Sequence, residues 1–115
     1  MATGDSTLVK TFTCHPGWGG LKKAFFTHTV TGTYLEGATD GYACDLTKFG
    51  LGTLRMVYLP PTVSGYVPVY NETTKRLEYY YADNNAAGDS ALIQVANGVN
   101  IGSLVCKICA EGTGT

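Results

Sequence analysis

Four cysteines and two histidines are the residues of this 115-residue chain whose chemistry could bind metal or drive catalysis. Two of the thiols stand in Cys106-Lys107-Ile108-Cys109, the C-x-x-C spacing used by zinc sites and dithiol redox centres. A zinc site needs both thiolates aimed at one point about 2.3 Å from each sulfur, which takes a tight turn between them. Here Lys107 and Ile108 intervene inside a β-prone run over 103–110. Residues three apart on a strand face opposite sides of its sheet. Cys106 is therefore expected among Leu104 and Ile108, and Cys109 beside Lys107, so the two cannot chelate one ion or pair with each other. Cys14-His15 and Cys44 offer the other members of a Cys/His set, but His15 precedes Pro16 and His28 lies inside the extended segment FFTHTVT. The expectation is no metal and no cofactor. Cys44 and Cys106 are read as small buried hydrophobes, and Cys14 and Cys109 as more exposed.

No other constellation is stronger. The chain contains no G-x-S-x-G, no P-loop and no H-E-x-x-H. Its acidic residues, Asp5, Glu36, Asp40, Asp45, Glu72, Glu78, Asp83, Asp89 and Glu111, are scattered. A carboxylate pair for glycoside hydrolysis can form across strands, but nothing in the spacing singles one out. No catalytic residue is assigned, and the chain is not expected to be an enzyme. A formal net charge of −1 supplies no basic field for phosphate backbones, so nucleic acid is not an expected partner. The opening MATGDSTLVK lacks a charged segment followed by an apolar one, so no secretory signal is expected. No apolar run approaches membrane-spanning length. A reducing cytoplasm as the site of synthesis follows, with the cysteines as thiols. Asn71-Glu72-Thr73 then matches the glycosylation sequon by chance.

The elements that position these residues are strands. Fifteen glycines and eight tyrosines suit a turn-rich β protein. Short β-prone runs recur about every ten residues, the pattern of an all-β fold. Eight strands are predicted, at 7–13, 22–31, 39–45, 53–59, 65–71, 76–82, 90–96 and 103–110. Pro60-Pro61 ends the fourth, because proline cannot donate to a ladder. Asn71 opens a hairpin loop that Thr73-Thr74-Lys75 turns, and Asn97-Gly98 marks another turn. Asp45 is expected to cap one helical turn around 46–49. Segment 82–89 reads as an exposed loop and the terminal EGTGT as frayed.

Alternation then picks out the core. Leu77, Tyr79 and Tyr81 are expected on one face of their strand, with Arg76, Glu78 and Tyr80 on the other. Such a chain suits an antiparallel two-sheet sandwich or jelly roll, whose core needs no cofactor. The predicted layout is an N-terminal arm over 1–10, one sandwich domain over 11–112 and a tail over 113–115. Two aromatics stand out. Trp18, between glycines in HPGWGG, is either a plug over the open end of the sandwich or an anchor in a neighbouring subunit. Tyr80 is expected to face outward, as a possible contact residue.

The stretches ATDGYACDLTKFGLGTLRMVYLPP, GYVPVYNETTKRLEYYY and LIQVANGVNIGSLVCKICAEG together resemble the capsid decoration, or cement, proteins of tailed bacteriophages. The resemblance covers about 22–112, and DLTKFGLG and the 65–82 hairpin are its strongest parts. The four cysteines and CHPGWGG depart from it. It implies a jelly-roll-like sandwich on the outer surface of a virion capsid, bridging subunits of the major capsid protein, made in the cytoplasm of a bacterial host. It also implies a homo-oligomer, commonly a trimer. The arm leading into Thr7, Leu8 and Val9 could add a strand to a neighbour's sheet edge. The alternative is a virion-surface module that grips carbohydrate through exposed Trp18 and Tyr80.

Overall fold

In the computed structural model, placement is described for residues 4–14, 21–37, 40–49, 52–82 and 91–113. Alternating, turn-punctuated segments give eight strands: β1 (Ser6–Cys14), β2 (Leu21–Val30), β3 (Tyr42–Ala43), β4 (Thr53–Tyr58), β5 (Val67–Asn71), β6 (Arg76–Tyr81), β7 (Ile93–Gln94) and β8 (Val105–Thr113). All ladders between them are antiparallel. One 3₁₀ turn, Leu46–Phe49, follows β3, and the Thr47 N–H donates to Asp45 Oδ1 at 3.0 Å, the expected cap. No α-helix occurs among the described residues. The fold is the two-sheet antiparallel β-sandwich that alternation predicts.

The first sheet has the order β1-β2-β8-β4, and the second places β5 and β3 on opposite sides of β6. β7 also pairs with β6, next to β3 rather than beyond β5: Tyr42 opposes Leu77, while Gln94 opposes Tyr80. The core lies between the sheets. Ala24, Phe26, His28 and Val30 from β2, with Cys106, Ile108 and Ala110 from β8, meet Tyr42, Cys44, Leu77, Tyr79 and Val95, all buried.

β3 and β7 are only two residues each, so one side of β6 is covered in two pieces. A side chain bridges them. Tyr34 Oη accepts the Tyr79 N–H at 3.1 Å and Gln94 Nε2 at 3.0 Å. Its own backbone is held by the 96–99 turn, through Tyr34 N–H to Val99 O at 2.9 Å and Gly98 N–H to Tyr34 O at 2.7 Å. Tyr34 meets Tyr42 edge-on with ring centroids 5.6 Å apart, and Tyr42 meets Tyr79 at 6.2 Å. Such edge-to-face pairs add to the stabilisation from burial.

Several expectations are corrected. Residues 6–10 are not a free arm. They are the first half of β1, paired with β2 from Ser6–Val30 to Lys10–Phe26, and Leu8 packs against the core. The N–H groups of Thr31 and Gly32 donate to Asp5 O, so the chain is tied down before the strand begins. Thr113 is not frayed, because it opposes Leu21 on one side and Thr53 on the other. Just before it, a Cβ on Gly112 would lie 2.2 Å from Thr53 O, so only glycine lets β4 close against β8 here. Tyr81 shares the face of Tyr79 but lies past the end of the core and is 39% exposed. Glu78 is buried instead of solvated, since its carboxylate accepts from Asn71 Nδ2 at 3.1 Å and Tyr80 Oη at 2.8 Å. The hairpin turns behave as predicted: Asn71 Oδ1 accepts from the N–H groups of Thr73 and Thr74.

Replacing Tyr34 by Phe keeps the ring and removes the acceptor. The buried Tyr79 N–H then loses its partner, which costs about 1–3 kcal/mol. Denaturant titration is expected to show that loss; an unchanged midpoint would mean that Tyr34 bridges nothing of consequence.

Candidate functional site

The inward face of β8 brings together the groups that sequence reasoning weighed for chemistry. His28 and Cys106 are register partners on β2 and β8, both facing the core. Cys44 and Tyr79 approach from the second sheet, and all four are fully buried. A thiol beside an imidazole is the starting material of a nucleophile, so its protonation decides its competence.

Every shift runs the wrong way for catalysis. An activated cysteine needs a lowered pKa. Burial, with the nearby Cys106 and Asp45, pushes the Cys44 thiol up to about 12. Burial pushes Cys106 up to about 11, partly offset by Tyr79. His28 is pushed down to about 4 by burial, with the Ala43 backbone offsetting part of that shift. Neither ring nitrogen has a hydrogen-bond partner of good geometry. The resting state is therefore neutral imidazole against neutral thiol, in a closed core. Cys44, Cys106 and Cys109 are free thiols. Among the described residues, no three His, Cys, Asp or Glu side chains are arranged to hold a metal ion. Cys106 and Cys109 point to opposite faces of β8, as strand geometry requires, with Cys109 half-buried on the outer side. The side chains of Cys14, His15 and Trp18 lie outside the described residues.

The outer face of the first sheet differs. Among the described residues, nine large apolar side chains are at least 38% exposed; Val9, Phe25, Tyr58 and Val105 point outward here, and Met56 sits on the β4 edge. Five of these lie on the first sheet. Ladder register orders them. Phe25, Cys109 and Tyr58 form one row across β2, β8 and β4. On one side of that row stand Thr27 and Lys107, and on the other Lys23 and Glu111. Phe25, Cys109 and Tyr58 line a groove of about 750 Å³ with Leu59 and Pro60. Tyr58 Oη donates to Glu111 Oε2 at 2.9 Å, and Lys23 Nζ lies 3.7 Å from the same oxygen. Lys107 Nζ contacts Thr27 Oγ1 at 3.2 Å and has no carboxylate partner among the described residues.

A second apolar groove, of about 370 Å³, is lined by Tyr66, Tyr81, Val95 and Val99, and shares no residue with the first. Of the contact residues read from sequence, Thr7 and Val9 are exposed on the first sheet, while Leu8 turns inward onto the core. Tyr80 is half-buried on the second sheet, and its hydroxyl is pushed up to about 12 by the bond to Glu78 and by burial. Phe25, Tyr58, Met56 and Val105 were missed. Alternation along β2 and β8 exposes Phe25 and Val105, but only the strand order shows that they share a face with Tyr58.

Comparison with protein-family models, curated proteins and solved structures returned no match.

Two outcomes follow. Cys106→Ser is expected to destabilise the fold by about 1–3 kcal/mol, through a hydroxyl in a packed core, while Cys109→Ser changes little. Equal, large losses at both positions would point to a shared ligand. For His28, a folded-state value below the unfolded one means that the unfolded chain takes up its proton first as pH falls. The contribution is full above about pH 6.5 and is lost as pH falls toward about 4, at up to about 1.4 kcal/mol per pH unit. Urea titrations across that window are expected to show the slope in the native protein and a shallower one in His28→Leu.

Proposed function

We propose that this chain is a structural virion protein that decorates the outside of a mature capsid and cements it by bridging major capsid subunits. The observation that carries the reading is the pair of separate apolar grooves on one closed sandwich. A bridging protein needs two adhesive surfaces and a rigid body between them. The body here is two sheets around a continuous core, with its titratable cluster buried and neutral. The sequence resemblance to phage cement proteins supports the major capsid protein as the partner, and the work proposed is adhesion rather than catalysis.

The mechanism is additive. A contact of modest area, on the order of 800 Å² per partner, binds weakly alone. Many copies across a shell, each touching two neighbours, raise the effective concentration of every further contact. The rim of the second groove, Tyr81 and Val99, is the surface assigned to the shell. The glycan-binding alternative draws less support, since the Tyr80 hydroxyl is already engaged by Glu78.

Quantitative mass spectrometry of purified particles is expected to find the chain at a fixed ratio to the major capsid protein. Recombinant protein is expected to co-sediment with mature capsid shells, and Tyr81→Glu with Val99→Glu to lower that occupancy without changing the melting temperature. Absence from particles, or full occupancy by the double variant, would refute the reading in its two parts.

A further inference from the structure

We propose that the outer face of the β1-β2-β8-β4 sheet docks onto the same face of a second copy, about a two-fold axis that runs along the row Phe25–Cys109–Tyr58. The inference rests on the geometry of the sheet and not on the capsid reading. It also departs from the threefold arrangement that the sequence resemblance implies.

The symmetry is written in β8. Its outward residues are Val105, Lys107, Cys109, Glu111 and Thr113. Lys107 and Glu111 lie two residues to either side of Cys109. At about 3.4 Å per residue they are roughly 14 Å apart along the strand, beyond the reach of an ion pair within one chain. An axis across the strands at Cys109 reverses the direction of β8 in the second copy and keeps the lateral order of strands. Cys109 then faces Cys109, Phe25 faces Phe25 and Tyr58 faces Tyr58. Lys107 of each copy faces Glu111 of the other.

Both acidic and basic partners are ready for that contact. Tyr58 and Lys23 bind Glu111 through Oε2 alone, and Oε1 has no partner among the described residues. Lys107 is held over the face by Thr27 Oγ1. Apolar side chains lie on the axis and opposite charges lie to either side, which is the core-and-rim plan of a self-complementary interface. A partner with an all-basic or all-acidic surface would leave either Lys107 or Glu111 facing like charge. The size also fits. Strands of nine, ten, nine and six residues, about 4.8 Å apart and about 3.4 Å per residue, give a face on the order of 550 Å² per copy, close to the lower limit for a specific interface.

Sedimentation equilibrium on the whole chain tests this, at concentrations from about 1 to 300 μM, the range a contact of this size calls for. A concentration-dependent dimer is expected. Lys107→Glu and Glu111→Lys, made singly, put like charges together in both symmetric contacts and are expected to weaken dimerisation tenfold or more. The double variant re-pairs them and is expected to recover most of the loss. Melting curves confirm that the single variants stay folded. A short bismaleimide is an independent readout: in a Cys14→Ser background it is expected to link two chains, and the added change Cys109→Ser to abolish the band. A monomer throughout, an odd-numbered oligomer, single variants as strong as the parent, or no recovery in the double variant would each overturn the proposal.

Discussion

Strand β8 is hydrogen-bonded along both edges, by β2 over its whole length and by β4 over its second half. The unbroken register with β2 fixes which way each side chain points, so alternation is enforced along the whole strand. Leu104, just before it, and Cys106, Ile108 and Ala110 are driven into the core, and Val105, Lys107, Cys109 and Glu111 out of it. The fate of the thiols follows from that constraint. The same C-x-x-C spacing that converges on a metal across a tight turn diverges across a ladder. The arrangement of the outer face follows too, because register with β2 and β4 sets which side chains share each row.

The second sheet lacks such a continuous ladder. β6 has β5 along one side, but the other side is divided between β3 and β7. Backbone pairing alone would leave the Tyr79 N–H without a partner in the middle of the core, at a cost comparable to a lost hydrogen bond. A tyrosine hydroxyl reaches the gap and the rings around it fill the space. Tyr42 joins the same network by donating to Gly32 O at 3.1 Å. Tyr34, Tyr42 and Tyr79 thus cluster where the second sheet is broken. Tyr34 and Tyr42 serve as packing and as hydrogen-bond partners at once.

Period-two alternation and turn residues made most of this fold legible. The strands containing Phe26, Leu77 and Ile108, the turn capped by Asp45, the Asn71 loop and the divergence of Cys106 from Cys109 all follow from local chemistry. What local chemistry hides is set by tertiary neighbours. Tyr81 keeps its alternation but outruns the sheet above it. Glu78 is buried because Asn71 and Tyr80, distant by one hairpin and one residue pair, supply its hydrogen bonds. Leu54 and Met56 read as one face by spacing, yet an irregularity between them puts Leu54 opposite Gly112 and Met56 opposite Glu111. The outer face was the least legible part. Its rows are drawn from three strands far apart in sequence, and no pattern within any one of them reveals the others.

The two exposed edges of the first sheet bear on how it associates. β1 and β4 are its outermost strands, and each carries a break in register, between Lys10 and Phe12 and between Leu54 and Met56. Bulges at an edge bend the strand and interrupt the row of free N–H and C=O groups, which opposes the addition of another strand. The N-terminal segment that could have supplied such a strand to a neighbour is instead spent on the chain's own sheet. Edge-to-edge extension is thereby disfavoured at both margins. The broad face keeps its rows in register over β2 and β8, with apolar side chains at its centre and opposite charges beside them. A sheet that blunts its edges while exposing a broad face favours association through the face over association through the edges, and a face allows a closed pair where an open edge would allow a growing sheet.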